Sequence, residues 1–333
     1  MIWYKEKQEN DIIVSTRVRL ARNLEKYPFP NTLNDEGKKK VTDELKSAIL
    51  DSGSTLAKSF SYKGMAELSG EEKLELSEKH LISVEMAQRD KGGVLISEDE
   101  NMSIMLLEED HLRLQVILGG FKLKEAWELA DKVDNVIEEN VNYAFSEEFG
   151  YLTACPTNTG TGMRASVMMH LPALTFTNNI NRVVSAASKL GLTVRGLYGE
   201  GSKAYGNLYQ VSNQVTLGIS EDEIISNLEN IAEQIEKLEI NAREKLKENE
   251  EFADKLWRAY GTLKYARSVS SQEAKALLSE VILGRNMGII DTEEKTSLIS
   301  LMVETEPALI MNGEKLTPDM RDKKRGDLLR ENV

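Results

Sequence analysis

The chain has 333 residues, enough for a large core and two domains, and its 41% hydrophobic and 29% charged residues are the balance of an ordinary globular protein. A net charge of -13 repels nucleic acid and anionic membrane over most of the surface, and 6% aromatic residues offer little for base stacking. Arginines kept together in such a chain point to a small anionic ligand.

The opening residues contain no apolar run of the signal-peptide kind, and no later run is long and apolar enough to span a bilayer. With a single cysteine, Cys155, no internal disulfide can form, so a cytoplasmic location is expected. His80, His111 and His170 are far apart and have no second cysteine, which argues against structural zinc.

In chain order, Ser15-Thr16-Arg17-Val18-Arg19 reads as a strand whose two arginines share a face. Residues 36–50 read as a helix buried through Val41, Leu45 and Ile49. From Leu81 the pattern becomes strand-like: Ile82, Val84 and Met86 alternate, Val94-Leu95-Ile96 is a short apolar run, and residues 97–101 form a turn. Residues 102–107 and 112–118 are the next strands, and the short turns imply antiparallel pairing. A helix is expected over 123–143, another over 178–190 ending at Gly191, and strands over 193–197 and 208–217. Ser220 and Glu223 form a capping box ahead of a long helix carrying Ile224, Leu228, Ile231, Ile235 and Leu238. Beyond residue 250 the patterns are helical, notably 271–283 and 292–303. The class is α+β, a mainly antiparallel sheet flanked by helices, over 1–242, with a helical C-terminal domain over 243–333.

Four short segments carry arginine, three of them together with carboxylate or glycine: residues 15–19, Glu108 to Arg113, Tyr151 to Ser166, and Arg195 to Glu200. Each arginine alone reads as a surface salt bridge, but four such segments together suggest a phosphate cage faced by carboxylates. Gly160-Thr161-Gly162-Met163-Arg164-Ala165 loosely matches a dinucleotide fingerprint, yet it lies outside any βαβ series and lacks the following acid. Residues 196–203 approach a P-loop but lack its Gly-Lys-Ser/Thr in register.

STRVRLARN at 15–23, EEDHLR at 108–113, CPTNTGTGMRAS at 155–166, RGLYGE at 195–200 and QVSNQ at 210–214 together resemble the phosphagen (guanidino) kinase family, and within it the bacterial protein-arginine kinases. The first arginine motif begins at Ser15, so the resemblance leads to the expectation of a member without the helical domain that precedes it in small-molecule kinases. Arg321-Asp322-Lys323-Lys324-Arg325-Gly326 matches the RDxxRA motif of the protein-arginine branch. Thr159 stands where small-molecule kinases have leucine, and Gly326 replaces the final alanine.

The resemblance implies an ATP-dependent protein-arginine kinase that uses Mg²⁺ without a direct protein metal site. It assigns ATP binding to Ser15, Thr16, Arg17, Val18, Arg19, His80, Arg113, Arg164, Ala165, Ser166, Val167, Met168, Arg195, Gly196, Leu197, Tyr198, Gly199 and Glu200. Glu109 and Glu200 match the carboxylates that grip the guanidino acceptor, Cys155 matches an auxiliary reactive cysteine, and Glu108 and Asp110 orient the site or hold metal through water. Arg321, Asp322 and Arg325 match an allosteric phosphoarginine site. Implied partners are proteins with exposed arginines, a Clp-type protease, a stress repressor, a zinc-containing activator and a second copy in a dimer. The alternatives are a small-molecule guanidino kinase and a non-catalytic phosphoarginine-binding adaptor.

Overall fold

Strand β1 (Ile13–Arg22) alternates side chains, so Val18 and Leu20 are buried while Arg17 and Arg19 stand half-exposed on the other face. The computed structural model describes residues 2–6, 11–55, 57–196, 204–292 and 296–333. Helix α1 (Asp35–Leu50) starts at Asn34, whose side chain accepts the Gly37 N–H, and buries the expected Val41, Leu45 and Ile49. Strand β2 (Phe60–Gly64) and helix α2 (Gly70–Glu78) follow, the latter opened by a capping box between Ser69 and Glu72.

The alternation at 82–86 is not a strand. Ser83 accepts the Met86 N–H and caps a short helix, α3 (Val84–Ala87), leaving Val84 exposed and Met86 buried. Strands β3 (Gly93–Ser97), β4 (Met102–Leu106) and β5 (Leu112–Gly119) form an antiparallel meander continuing from β2, with Val94 opposite Met105 and Met105 opposite Arg113. Helix α4 (Leu123–Glu138) ends before the expected Tyr143, and β6 (Phe145–Ser146) pairs with β7 (Gly150–Tyr151) as a small hairpin.

Then come β8 (Met163–His170), α5 (Pro172–Phe176), α6 (Ile180–Lys189), β9 (Leu192–Gly196) and β10 (Leu208–Asn213). The eight-stranded sheet has the order β2-β3-β4-β5-β1-β8-β10-β9. The remainder is helical: α7 (Glu221–Leu246), α8 (Glu250–Tyr265), α9 (Ser271–Asn286), α10 (Leu298–Glu304), α11 (Pro307–Met311) and α12 (Pro318–Asn332). The expected 292–303 helix is shorter, because Ser297 caps α10 by accepting the Ser300 N–H.

Chain contacts divide the protein into two compact units. One comprises Met1–Trp3, Thr16–Ser166 and Ser212–Glu229; the other comprises Tyr4–Ser15, Val167–Val211 and Asn230–Val333. In the second, buried Glu239 accepts the Ala173 and Leu174 N–H groups, while Arg243 makes a bidentate pair with Asp11. No helix among the described residues is long and apolar enough to cross a membrane.

Candidate active site

The strand order puts β1 between β5 and β8, so Arg17 and Arg19 on β1, Arg113 on β5 and Arg164 on β8 lie on three neighbouring strands of the first unit. Strands β1 and β8 run antiparallel there, joined by Ala21 N–H to Gly162 O, and Ser166 Oγ reaches Arg17 O at 3.4 Å. Like charges so arranged repel. Burial, with Arg113 and Arg164 nearby, pushes Arg17 down to about 10, and burial beside Arg17 holds Arg19 well below its ordinary value. Arg19 Nε is buried and has no hydrogen-bond partner among the described residues. A buried donor without an acceptor is costly unless a ligand supplies one. These residues therefore fit a polyanion.

The β4–β5 turn carries the carboxylates. Leu107 adopts φ 62°, a strained conformation for a branched side chain, and its N–H bonds His111 O across the turn. Gly92 accommodates the turn at φ 85°, because a Cβ there would lie 2.2 Å from Leu106 O. His111, fully buried, accepts the Leu24 N–H at Nδ1, so its Nε2–H donates to Pro28 O at 2.9 Å. Burial pushes its imidazole down to about 4.

The three consecutive acids have different roles. Glu108 is buried and accepts from Arg113 Nη1 at 2.8 Å, Ser83 Oγ at 2.7 Å and the Glu109 N–H at 2.8 Å. Although burial opposes its charge, Arg113 and these hydrogen bonds hold Glu108 below the usual carboxylate range. It thereby orients an arginine of the cage and the backbone of Glu109. Asp110, also buried, accepts from Asn23 Nδ2 at 2.6 Å and from the Ala154 N–H at 2.7 Å. Asn23 completes the junction by accepting the His111 N–H and donating to Leu152 O. Asp110 thus fastens the segment before Cys155 to the carboxylate turn.

Glu109 projects outward, exposed, into a cleft of 610 Å³. Partial burial and then the charges of Asp110 and Glu108 raise its carboxyl above the ordinary range, the direction that suits a group accepting a proton. Ala154 lines the same cleft, and Cys155 Sγ lies 3.0 Å from Thr157 Oγ1.

The loop bearing Cys155 rests on Arg22, which is buried. Its Nε and Nη2 donate to Asp134 Oδ2 at 2.9 and 2.7 Å, its Nη1 donates to the Ala21 and Thr161 carbonyls, and the Tyr151 ring lies 3.5 Å from the guanidinium. At the far side, Thr216 Oγ1 bonds to the carbonyls of Thr157 and Thr159, and Gly160 at φ 116° leaves no room for a Cβ beside Thr216 O. Asn213 accepts the Ala165 N–H and donates to Met163 O, fixing the start of β8 next to Arg164.

Ser15 and Thr16 are buried in β1, and Thr16 Oγ1 donates to Gly120 O. His80 adopts φ 61°, its carbonyl accepts from Gln115 Nε2, and its ring stands 5.6 Å from that of Trp3. Val167 and Met168 continue β8, and Arg195 and Gly196 close β9, within the second unit. Leu197, Tyr198, Gly199 and Glu200 lie outside the described residues. Sequence reasoning did not single out Ser83, Arg89, Asn23 or Arg22 as site-building residues; only the cap pattern before Met86 signals Ser83.

The RDxxRA-like segment is helical, in the first turns of α12. Arg325 is 2% exposed; its Nε donates to Thr305 O, and its Nη1 donates to Val269 O and Asp322 Oδ1. Arg325, expected with Arg321 and Asp322 in a phosphoarginine site, thus has its Nε and Nη1 on the Thr305 and Val269 carbonyls and on Asp322 itself. Arg321 and Asp322 remain part-exposed. Gly326 lets α12 approach the chain closely, because a Cβ there would lie 3.0 Å from the Arg267 carbonyl.

Residues 40–242 match the model for the ATP:guanido phosphotransferase C-terminal catalytic domain, and residues 249–333 match that for the protein-arginine kinase McsB C-terminal domain. The protein-arginine kinase of Brevibacillus brevis is 48% identical over 99% of this chain and 94% of its own length. That of Desulforamulus reducens is 50% identical over 98% and 93%. The chain belongs to the protein-arginine kinase family.

The catalytic fold of this protein-arginine kinase family member is shared with a lombricine kinase crystal structure, at TM-score 0.62 and 25% identity over 70% of this chain and 67% of that one. A duplicated taurocyamine kinase from Schistosoma mansoni, with bound transition-state analogue components, matches at TM-score 0.63 and 24% identity over 81% of this chain and 40% of that chain. This second match speaks to the fold alone. Among the described residues, no group of three His, Cys, Asp or Glu side chains is arranged to hold a metal ion.

Proposed function

We propose that this protein transfers the γ-phosphoryl group of ATP to the guanidino group of arginine residues in proteins. The observation that carries the reading is the row of Arg17, Arg19, Arg113 and Arg164 on adjacent strands, with Arg19 Nε lacking an acceptor among the described residues, beside the carboxylate turn. Phosphoryl transfer requires positioning and charge neutralisation more than covalent help, and guanidiniums fixed on a sheet supply both. Mg²⁺ entering with the nucleotide would neutralise part of the phosphate charge. Glu109 grips two N–H donors of the acceptor guanidinium, turns one nitrogen toward the γ-phosphorus and takes its proton. The N–P bond forms as the bond from phosphorus to the bridging oxygen breaks, and ADP leaves. Glu200 is the second gripping carboxylate and Cys155 an electrostatic auxiliary.

The 40–242 and 249–333 family spans support a boundary near residue 243, and we read the C-terminal part as regulatory. There we place a phosphoarginine site at Arg321 and Asp322, with Arg325 shaping it from beneath. A Clp-type protease, a stress repressor, a zinc-containing activator, a dimer and a cytoplasmic setting complete the reading.

The test incubates the protein with Mg²⁺ and ATP and either an unfolded arginine-containing protein or free arginine, and follows acid-labile phosphate by ³¹P NMR. Label is expected on the protein substrate, and Glu109→Ala should lower the rate ~10²-fold or more with nucleotide affinity retained. Transfer to free arginine alone would make the protein a small-molecule kinase; phosphoarginine binding without transfer would make it an adaptor.

A further inference from the structure

The cleft beside Glu109 is lined by both signs of charge. A volume of 610 Å³ is far more than a guanidinium head fills, and beyond Glu109 the walls come from Pro30, Asn31, Lys38, Arg89 and Lys91. Arg89 is exposed, and its Nη1 is fixed by the Leu107 and Glu108 carbonyls at 2.9 and 2.6 Å, next to Glu109 in the chain. Its Nε and Nη2 make no hydrogen bond among the described residues, so half of the anchored fork still has donors to offer at the cleft wall. The Lys38 ammonium makes no hydrogen bond or ion pair among the described residues. Lys91 pairs with Asp35, but both side chains are more than half exposed, and such a pair yields readily to a better-placed anion. Asp90, also in the wall, is paired with Lys73 at 2.8 Å and does not neutralise these cations. In a chain of net charge -13, three cations around one cleft form a local site for an anion.

Building on the protein-arginine reading above, we propose that this cleft recognises a carboxylate close to the acceptor guanidinium, so that arginines flanked by acidic residues are the preferred targets. Glu109 takes the guanidinium; Arg89, with Lys38 and Lys91, takes the carboxylate. The same chemistry could come from the α-carboxylate of arginine itself, and the experiment separates the two sources.

Peptides with one central arginine are made with aspartate, or with asparagine, at each neighbouring position in turn. Each is assayed for kcat/KM with Mg²⁺ and ATP, and dye-labelled copies are titrated by fluorescence anisotropy. Free arginine and argininamide are compared as acceptors and as competitors of the labelled peptides. At the best position the aspartate peptide is expected to exceed its asparagine twin by roughly three- to tenfold, less at high salt. In the Lys38→Gln/Lys91→Gln protein and, separately, in Arg89→Lys, that ratio should fall toward one; because a ratio is read, a general loss of activity does not imitate it. Equal values for aspartate and asparagine at every position overturn the proposal. A preference confined to arginine over argininamide also overturns the flanking-residue assignment and gives the carboxylate site to the acceptor's own terminus. Peptide binding that keeps the acidic preference without any phosphate transfer would sink the kinase reading while leaving this cleft assignment standing.

Discussion

Asp134→Asn removes one charge from a buried pair and little volume. Arg22 is 2% exposed and Asp134 8%, and Tyr143 OH donates to the second carboxylate oxygen at 2.9 Å. Breaking a buried pair by neutralising one partner commonly costs ~3–5 kcal/mol, because the remaining charge stays desolvated. Arg22 keeps its bonds to the Ala21 and Thr161 carbonyls and its contact with Tyr151, so the lower end, about 3 kcal/mol, is the better figure. At roughly 2–4 °C per kcal/mol for large domains, the melting temperature should fall by about 6–12 °C. Circular dichroism melts of wild type, Asp134→Asn and the double variant Arg22→Met/Asp134→Leu would measure it. The double variant removes both charges and should be clearly more stable than Asp134→Asn. Wild-type melting by Asp134→Asn, or a double variant no better than the single one, would refute the reasoning.

Arg113→Lys keeps charge but loses the planar fork that bonds Glu108, and should cost ~2–4 kcal/mol in kcat/KM; a wild-type rate would place Arg113 outside the site. His111 has a folded-state value of about 4, below its ordinary 6.5, so between those values the unfolded chain binds the extra proton and stability falls as pH falls. That amounts to roughly 3 kcal/mol over the window, and a urea-melt pH slope unchanged in His111→Gln would contradict it. Gly326→Ala gains up to about 1 kcal/mol of helix propensity, yet its methyl must push the Arg267 carbonyl aside. A net loss of about 1 kcal/mol is expected, and a raised melting temperature would show that the contact gives way freely. Asp322→Ala strips Arg325 of its carboxylate partner as well as removing an acceptor from the proposed regulatory site, so phosphoarginine affinity should fall in calorimetry on a Glu109→Ala background, and equal affinities would remove the assignment.

The sheet was legible where alternation was long or bounded by clear turns. Strands β3, β4 and β5 fall within a residue or so of their expected limits, and the capping box at Ser220 forms as its spacing implies, with Glu223 accepting the Ser220 N–H. Residues 82–86 misled because three alternating apolar residues suit a strand and a capped helical turn equally well. Arginine spacing on β1 identified the ligand-side face, and the same period of two sets Arg22 on the other face from Arg17 and Arg19, but nothing local shows that it is locked beneath Tyr151. The division of labour among Glu108, Glu109 and Asp110 depends on Ser83, Asn23 and Ala154, which are 25, 87 and 44 residues from their partners. Contacts at such separations leave no local pattern. Arg325 shows the same limit, since only the packing of α12 reveals that its charge points inward.

β1 places Arg17 and Arg19 on one face, Val18 and Leu20 on the other, and Arg22 at its end with Asn23 just beyond, all counted along one stretch of chain. The side-chain period of a strand is two, so gain or loss of one residue would exchange the faces. A deletion anywhere from Ser15 to Arg17 would drive guanidiniums into the core and hold valine and leucine out toward the ligand. This segment should therefore tolerate a change of length even less than a change of side chain, a difference that a library of single-codon deletions set beside one of conservative substitutions would expose.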